Sequence, residues 1–164
     1  EVVSDYSPDL CLYAAGIGDL LDLTNMEPEV NTIDVNFTGM VRTAAGIIPQ
    51  MVEKSRGHFI GISSFADELP SPEAPAYFAS KAGVSNYVKG LGLALKEKGV
   101  FVTNVRFGFV DTKMAKGDVK PFLMSVDTAV EHLVTCIKKK PARYTAPRFA
   151  IPLVKMMKLV MAFK

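Results

Sequence analysis

The sequence predicts an α/β fold in which helices cover both faces of a parallel sheet, the doubly wound arrangement. Three observations support this prediction. Short, continuous apolar runs of strand length recur along the chain, segments with helical periodicity lie between them, and Gly or Pro residues separate the two kinds of segment. Continuous apolar strands are typical of parallel sheets, which are buried on both faces and need crossover helices to connect their strands.

The first half of the chain contains two predicted strands and one long helix. Residues 10–15 form a short apolar run with the length of a buried strand. A helical pattern covers about 28 to 55, and Val30 is among its expected core residues. Gly57 then ends this segment, and residues 58–63 are a second buried strand rich in β-forming side chains.

The second half continues the alternation. Three prolines form a loop before a long predicted helix from about 76 to 98, which ends at Gly99 as helices commonly do. Residues 101–106 are a third strand, and a helix from about 126 to 139 follows. A short segment at 142–145 is predicted as the last strand.

Size and composition favour a single globular domain over residues 1–164. The chain is 49% hydrophobic and 22% charged, which is enough apolar material for a buried core. Its net charge of +2 is too small to indicate a nucleic-acid partner. Because no apolar run has the length needed to span a bilayer, and Cys11 and Cys136 show no pairing pattern, a cytoplasmic location is expected. His58 and His132 lack neighbours at ligand spacing, so no metal site is expected.

The tail from 150 to 164 is apolar and interspersed with lysines. Its methionines and aliphatic residues favour a segment that closes over a substrate or forms an interface between copies of the chain. An apolar basic helix is also compatible with peripheral contact to an anionic membrane surface. The sequence leaves these alternatives open.

Tyr77 and Lys81 are the first candidates for chemistry. They lie four residues apart on one predicted helix, so their side chains share a face. A fixed ammonium group favours the phenolate and would lower the pKa of the tyrosine toward the range useful for acid–base catalysis. Taken alone, the pair is weak evidence, since many helices contain a tyrosine and a lysine at this spacing.

The neighbouring motifs make the pair specific. Ser64 ends the second strand, at the edge where open α/β sheets bind their ligands, and it lies thirteen residues before Tyr77. Four motifs occur in order: Val35-Asn-Phe-Thr-Gly39, Gly57-His-Phe-Ile-Gly-Ile-Ser-Ser-Phe65, Tyr77-Phe-Ala-Ser-Lys81 and Val105-Arg-Phe-Gly-Phe-Val-Asp-Thr112. Together they resemble the short-chain dehydrogenase/reductase family, and the resemblance covers roughly residues 10 to 115.

The resemblance implies four catalytic residues. Tyr77 is similar to the general acid/base that protonates a carbonyl oxygen while hydride reaches the carbon. Lys81 is similar to the lysine that lowers the pKa of that tyrosine and binds the nicotinamide ribose. Ser64 matches the serine that orients the carbonyl. Asn36 matches the asparagine that holds a water linking the lysine to solvent.

The resemblance also implies NAD or NADP as the cofactor. Ala14, Ala15 and Gly16 are small enough for close approach of a dinucleotide, and Val110 and Thr112 resemble the positions that hold the nicotinamide carboxamide. Tyr77 and Lys81 would contact the same cofactor. The acidic or basic residue that selects between NAD and NADP is not found among these motifs.

Three departures from the family pattern stand out. Tyr13-Ala14-Ala15-Gly16 stands where the family usually has Asn-Asn-Ala-Gly, so an asparagine that ties neighbouring strands together is lost, and Phe107 replaces a proline. The glycine-rich turn that seats the pyrophosphate is not found, since Gly16-Ile-Gly18 and Gly90-Leu-Gly92 lack its third small residue. We therefore expect the C-terminal, second half of a Rossmann-like sheet, from its fourth strand onward. Its first strand would be an open edge, and the isolated chain would be inactive.

These observations predict an NAD(P)-dependent oxidoreductase that interconverts a carbonyl and an alcohol. Phe109 and Met114 follow the third strand and favour an apolar small-molecule substrate. A homo-oligomer is expected. The alternative is a catalytically silent fragment, or a binding or assembly module, that keeps the sheet without the activity.

Overall fold

The computed structural model describes residues 7–115 and 120–161 as a parallel sheet covered by helices. The four strands run in the order β1-β2-β3-β4 and pair in parallel. Their bounds are β1 (Leu10–Tyr13), β2 (Gly57–Ser64), β3 (Val100–Phe107) and β4 (Arg143–Ala146). The predicted α/β class, with four strands at the predicted places, is confirmed.

In the described part of the chain, five α-helices connect and flank these strands. They are α1 (Glu27–Ile33), α2 (Gly39–Glu53), α3 (Pro75–Ala94), α4 (Val126–Lys139) and α5 (Ile151–Met161). The predicted helix from 28 to 55 is interrupted, because a π-helical turn at Asp34–Thr38 separates α1 from α2. α3 ends at Ala94, four residues before the predicted end, and Gly99 adopts a positive φ of 71° in the turn that leads into β3.

Helices lie on both faces of the sheet, as the doubly wound prediction requires. One apolar cluster joins α2 and α3 to the sheet and includes Met40, Phe59 and Val88. The other joins α4 to the opposite face and includes Val105 and Cys136. Since successive residues of a strand point to opposite faces, β2 and β3 contribute to both clusters.

β1 lies at one edge of this sheet. Its pairing partner is β2, in the register Leu10↔His58 to Tyr13↔Gly61. Leu10 and Leu12 are 40% and 38% exposed, whereas Cys11 and Tyr13 pack against the α2–α3 cluster. The expected open edge is therefore present among the described residues, and one face of β1 presents apolar side chains to solvent.

The π-helical turn changes which residues face the core. Thr32, Asn36, Met40 and Ala44 are buried at four-residue intervals across the turn. The prediction that Val30 is a core residue is wrong, because its side chain is 54% exposed. An apolar pattern could not identify this face, since two of its buried residues are polar. π-bulges of this kind are frequent at functional sites.

The C-terminal tail is largely helical. α5 follows a short 3-10 turn at Arg148–Ala150, and it exposes Leu153, Met156 and Leu159. Within the described residues, the structure contains no helix that is both long and apolar enough to cross a membrane. Residues 162–164 of the predicted tail lie outside the described part of the chain.

Candidate active site

The candidate site lies at the carboxyl ends of β1 and β2. Ser64 is the last residue of β2, and Pro75 begins α3, so that Tyr77 falls in the first turn of this helix. Proline suits a first helical position because its fixed φ is already helical and it has no N–H to leave unpaired. One turn later Lys81 points back toward β2, where its Nζ donates a hydrogen bond to the carbonyl of Ile62 at 3.1 Å.

The Tyr77 hydroxyl lies beside the Ser64 hydroxyl. Burial raises the pKa of Tyr77 above its ordinary value of 10.0, and a hydrogen bond with the Ser64 side chain offsets part of that rise. The expected lowering of this pKa by Lys81 is not observed, because burial dominates. Lys81 Nζ lies 5.7 Å from the centroid of the Tyr77 ring. The phenol is therefore protonated at neutral pH in this arrangement.

Lys81 is a buried cation. The residue is only 4% exposed, and burial lowers the pKa of its ammonium from 10.5 to about 8. Among the described residues no carboxylate forms an ion pair with it. The ammonium still carries most of its charge at pH 7, but it loses that charge far more easily than an exposed lysine does.

Asn36 is fixed by two neighbouring segments. Its side-chain Oδ1 accepts a hydrogen bond from the N–H of Ile17 at 2.8 Å, and its Nδ2 donates to the Ile17 carbonyl at 2.8 Å. Nδ2 also donates to the hydroxyl of Ser80 at 2.9 Å. The asparagine thus ties the segment after β1 to α3. Its predicted water-holding role is untested, although an amide oxygen with one partner retains a second lone pair.

The predicted cofactor-binding residues fall in two segments at the same end of the sheet. Ala14 and Ala15 are exposed just after β1, and Gly16 follows them. A Cβ on Gly16 would lie 3.4 Å from Lys81 Nζ and 3.6 Å from Asn36 Oδ1, so this backbone borders the catalytic candidates. Val110 and Thr112 follow β3, and Val110 pairs with Met124.

Gly18 is a residue whose role the sequence did not reveal. A Cβ at this position would lie 2.8 Å from Cδ2 of Tyr77, so the backbone of Gly18 packs directly against the tyrosine ring. The spacing contained no signal for the contact with Tyr77, which depends on how α3 folds back.

Tyr13, which stands where the family has asparagine, also has a defined contact. Its hydroxyl donates a hydrogen bond to the carbonyl of Val35 in the π-helical turn. Gly39 makes room for it, because a Cβ there would lie 2.5 Å from the Tyr13 oxygen. The edge strand is thereby joined to the helix that holds Asn36.

A buried ion pair beside the site was also missed. The guanidinium of Arg106 binds both carboxylate oxygens of Asp67, and the two side chains are 3% and 2% exposed. A cavity of about 440 Å³ lies against Arg106 and is lined also by Phe65, Arg143 and Arg148. Tyr77 and Lys81 do not line this cavity, which is separate from the candidate site.

Within the described residues no group of three or more His, Cys, Asp or Glu side chains is arranged to hold a metal ion. His58 instead pairs with Thr103 at 2.8 Å, and burial lowers its pKa to about 4. His132 pairs with Tyr144 at 2.8 Å.

The fold and the site define a parallel α/β protein with a Ser, Tyr and Lys group at the carboxyl end of its central strand. The family model of the short chain dehydrogenases matches residues 8–121. The chain belongs to the short-chain dehydrogenase family.

Individual relatives agree with this membership. A Myxococcus xanthus protein described as an uncharacterized oxidoreductase is 35% identical over 149 residues, which cover 88% of this chain and 59% of that protein. The chain thus spans about six-tenths of the length of that relative.

Solved structures share the fold. A short chain dehydrogenase from Burkholderia cenocepacia in complex with NADP has a TM-score of 0.83 at 21% identity, and the match covers 95% of this chain and 69% of that one. A short-chain dehydrogenase from Sphingobium yanoikuyae in complex with NADPH has a TM-score of 0.78 at 24% identity, covering 94% and 65%.

Proposed function

We propose that the protein is an NAD(P)-dependent oxidoreductase that interconverts a carbonyl and an alcohol, with Tyr77 as its general acid/base. The observation that supports this most strongly is the grouping of three side chains at one point. The Ser64 side chain is near enough to the Tyr77 hydroxyl to offset part of the rise in the pKa of Tyr77, and the buried ammonium of Lys81 lies 5.7 Å from the centroid of the tyrosine ring.

The raised pKa of Tyr77 suits the reductive direction. Because the phenol keeps its proton at neutral pH, it is able to donate that proton to a carbonyl oxygen as the carbon is reduced. Ser64 would donate a hydrogen bond to the same oxygen and so hold the carbonyl in place. In the reverse direction Tyr77 would accept the proton of the alcohol.

The site fits a nicotinamide dinucleotide. A bound nicotinamide would supply or accept the hydride, and the protein would supply position and charge. The residues that would hold it are the small ones after β1 and the segment after β3: Ala14, Ala15, Gly16, Val110 and Thr112. In support, Gly16 lies against the ammonium of Lys81, since a Cβ at this position would lie 3.4 Å from Nζ.

Proton return is the role proposed for Lys81 and Asn36. The Nζ of Lys81 contacts the carbonyl of Ile62. Lys81 and Asn36 both lie beside Gly16, so together they line a path for protons from Tyr77 toward the segment after β1. A water on the free lone pair of Asn36 Oδ1 would complete this path.

The substrate is proposed to be an apolar carbonyl or alcohol. Phe109 and Met114 follow β3 and are 37% and 39% exposed, at the end of the sheet where the site lies. A homo-oligomer, a cytoplasmic location and peripheral membrane contact through α5 stay predictions. The correspondence of this chain to the second half of the family's sheet, and the inactivity of the isolated chain, also stay predictions.

The experiment has two stages. Calorimetric titration with NADH and with NADPH measures binding and cofactor preference. Turnover is then followed by absorbance of the reduced nicotinamide against a panel of apolar ketones and aldehydes. Tyr77→Phe should lower kcat by about 10²–10⁴-fold, the usual contribution of a general acid.

Tyr87→Phe is the matched control, because Tyr87 lies on the same helix and packs edge-on against Phe37 with 6.3 Å between ring centroids. It should leave kcat unchanged. If the protein binds dinucleotide but reduces no compound of the panel, the alternative of a silent binding or assembly module replaces this proposal.

A further inference from the structure

The buried pair of Asp67 and Arg106 joins three segments of the candidate site. Asp67 lies in the 3-10 turn Phe65–Glu68, which directly follows Ser64. Arg106 lies near the end of β3, two residues before Gly108, in the strand that leads to Val110 and Thr112. The Nε of Arg106 donates to Asp67 Oδ2 at 2.6 Å, and Nη2 donates to Oδ1. Bidentate pairs of this kind fix geometry as well as charge.

The carboxylate of Asp67 also contacts α3, the helix that bears Tyr77 and Lys81. Ser85 Oγ donates a hydrogen bond to Asp67 Oδ2, and it lies 2.8 Å from the hydroxyl of Ser63. Ser63 in turn donates to the backbone carbonyl of Lys81 at 3.0 Å. Tyr77, Lys81 and Ser85 are spaced four residues apart, so they share one face of α3. Asp67 thus contacts the face that holds the proposed acid/base.

Two further contacts restrict the guanidinium of Arg106. Its Nη2 lies 2.8 Å from Oε1 of Glu68, and its central carbon lies 5.6 Å from the centroid of the Phe65 ring. Burial opposes ionisation of Glu68, but a hydrogen bond from Arg143 and the charges of Arg106 and Arg143 lower the pKa of this carboxyl below its usual value. Arg106 therefore lies between two carboxylates of the turn that follows Ser64.

Burial of this pair is not explained by stability. Two charges removed from water lose hydration, and apolar residues of similar volume commonly stabilise a fold as well or better. A buried pair does, however, allow one arrangement of its segments and exclude others, because any displacement leaves charges unpaired. The segments held here are those that bear Ser64, Tyr77 with Lys81, and the loop after β3.

We propose that Asp67 and Arg106 are a positioning pair, which fixes the position of Ser64 relative to Tyr77 and to the loop after β3. This inference rests on the proposed function. In this proposal the pair acts through Ser64 and not by its own contact with substrate or cofactor. Loss of the pair should lower kcat more than it changes KM for the dinucleotide.

The test is a double-mutant cycle in kcat, carried out on the full protein with saturating dinucleotide. Asp67→Asn should lower kcat by about 10- to 100-fold, the size of effect expected when a reacting geometry is displaced by about 1 Å. In a Ser64→Ala background the same substitution should lower kcat less than about threefold, because coupled residues do not act additively. Equal losses in the two backgrounds would overturn the proposal.

A second variant protects the test against a failure to fold. The double variant Asp67→Leu with Arg106→Met removes both charges and leaves apolar side chains in their place. It should fold and show the same fall in kcat as Asp67→Asn. If it retains the kcat of the unmodified protein, the pair has no positioning role.

Asp9→Asn is the matched control. Asp9 pairs with Arg56 at 3.0 Å, but these side chains are 58% and 70% exposed and lie near the opposite ends of β1 and β2. This substitution should not change kcat. An unmodified protein that reduces no carbonyl would overturn the proposed function, whereas an active protein with an unchanged Asp67→Asn variant would overturn the positioning pair alone.

Discussion

Among the described residues, the two buried cations, Lys81 and Arg106, lie in opposite surroundings. Lys81 is 4% exposed and donates to a backbone carbonyl, and burial lowers its pKa to about 8. Arg106 is 3% exposed and lies between the carboxylates of Asp67 and Glu68. Both are next to the carboxyl end of β2, yet one is paired and the other is not.

The difference separates a group suited to chemistry from a group suited to structure. An unpaired buried ammonium is costly, and it is able to change its charge near physiological pH. A guanidinium held by two carboxylates keeps its charge and its place. The buried, unpaired charge of Lys81 beside Tyr77 therefore destabilises the fold. The charge of Arg106, on the neighbouring strand, is compensated by two carboxylates.

The largest expected effect is the loss of activity in Lys81→Met. Without the ammonium, the site loses the group proposed to contact the cofactor and to return protons to Tyr77, and kcat should fall by about 10²–10⁴-fold. Turnover measured from pH 6 to 10 checks this prediction. Lys89→Met, a change at an exposed position on the same helix, should have no effect. Comparable activity in Lys81→Met and Lys89→Met would show that Lys81 has no role in the mechanism.

The second effect is on the free energy of unfolding, and it distinguishes the cations directly. Arg106→Met leaves Asp67 buried without its partner and should destabilise the protein by roughly 3–5 kcal/mol. Urea unfolding measures this value. Adding Asp67→Leu should restore most of the stability, because no buried charge is then left unpaired. If the double variant is as unstable as the single one, the loss comes from packing rather than from charge.

A pH-dependent stability is expected from Lys81. Its pKa is about 8 in the folded protein and 10.5 in the reference state, so between these values the unfolded chain binds more protons at this residue. The free energy of unfolding should therefore rise with pH across that window, by at most about 3 kcal/mol from this residue. Below pH 8 the cost of the buried charge is fully present.

The measurement compares urea unfolding of the unmodified protein and of Lys81→Met at pH 7 and pH 10. The variant should be the more stable of the two at pH 7, and the difference should shrink at pH 10. A difference that does not change with pH would show that Lys81 does not titrate in this range.

The smallest effect is expected at the outer member of the ion-pair network. Arg143 binds Glu68 Oε1 at 2.6 Å, but its side chain is 54% exposed. Arg143→Met should change the free energy of unfolding by less than about 1 kcal/mol, because solvent screens exposed pairs. Arg56→Met, at the exposed pair with Asp9, should also change the free energy of unfolding by less than about 1 kcal/mol. A loss as large as that of Arg106→Met would mean that the network acts as one unit.

The sequence predicted the strands and much of the site because both depend on local patterns. Apolar runs and their separating glycines located β1 to β4, and the family resemblance carried by the four motifs selected Ser64, Tyr77 and Lys81 as candidates, whose catalytic roles stay predictions. The pairing of Asp67 with Arg106 spans 39 residues and leaves no periodic signal. Its position could be known only once β2 and β3 were paired.

Two errors have a common physical cause. The helix predicted from 28 to 55 contains a π-helical turn, and the extra residue in that turn shifts the buried face. Val30 was expected in the core, whereas the polar Thr32 and Asn36 occupy it. An apolar pattern assumes a constant helical period and an apolar interior, and neither holds beside the site. The pKa of Tyr77 was misjudged for a similar reason, because burial could not be seen from spacing.

The most direct test of the contrast between the two cations is an NMR titration of Lys81. Lysine side chains labelled with ¹³C at Cε report the protonation of each amine, and Lys81→Met assigns the signal. The structure predicts a midpoint near pH 8 for Lys81. A midpoint near 10.5, the value of an ordinary lysine, would contradict an unpaired, buried ammonium beside Tyr77.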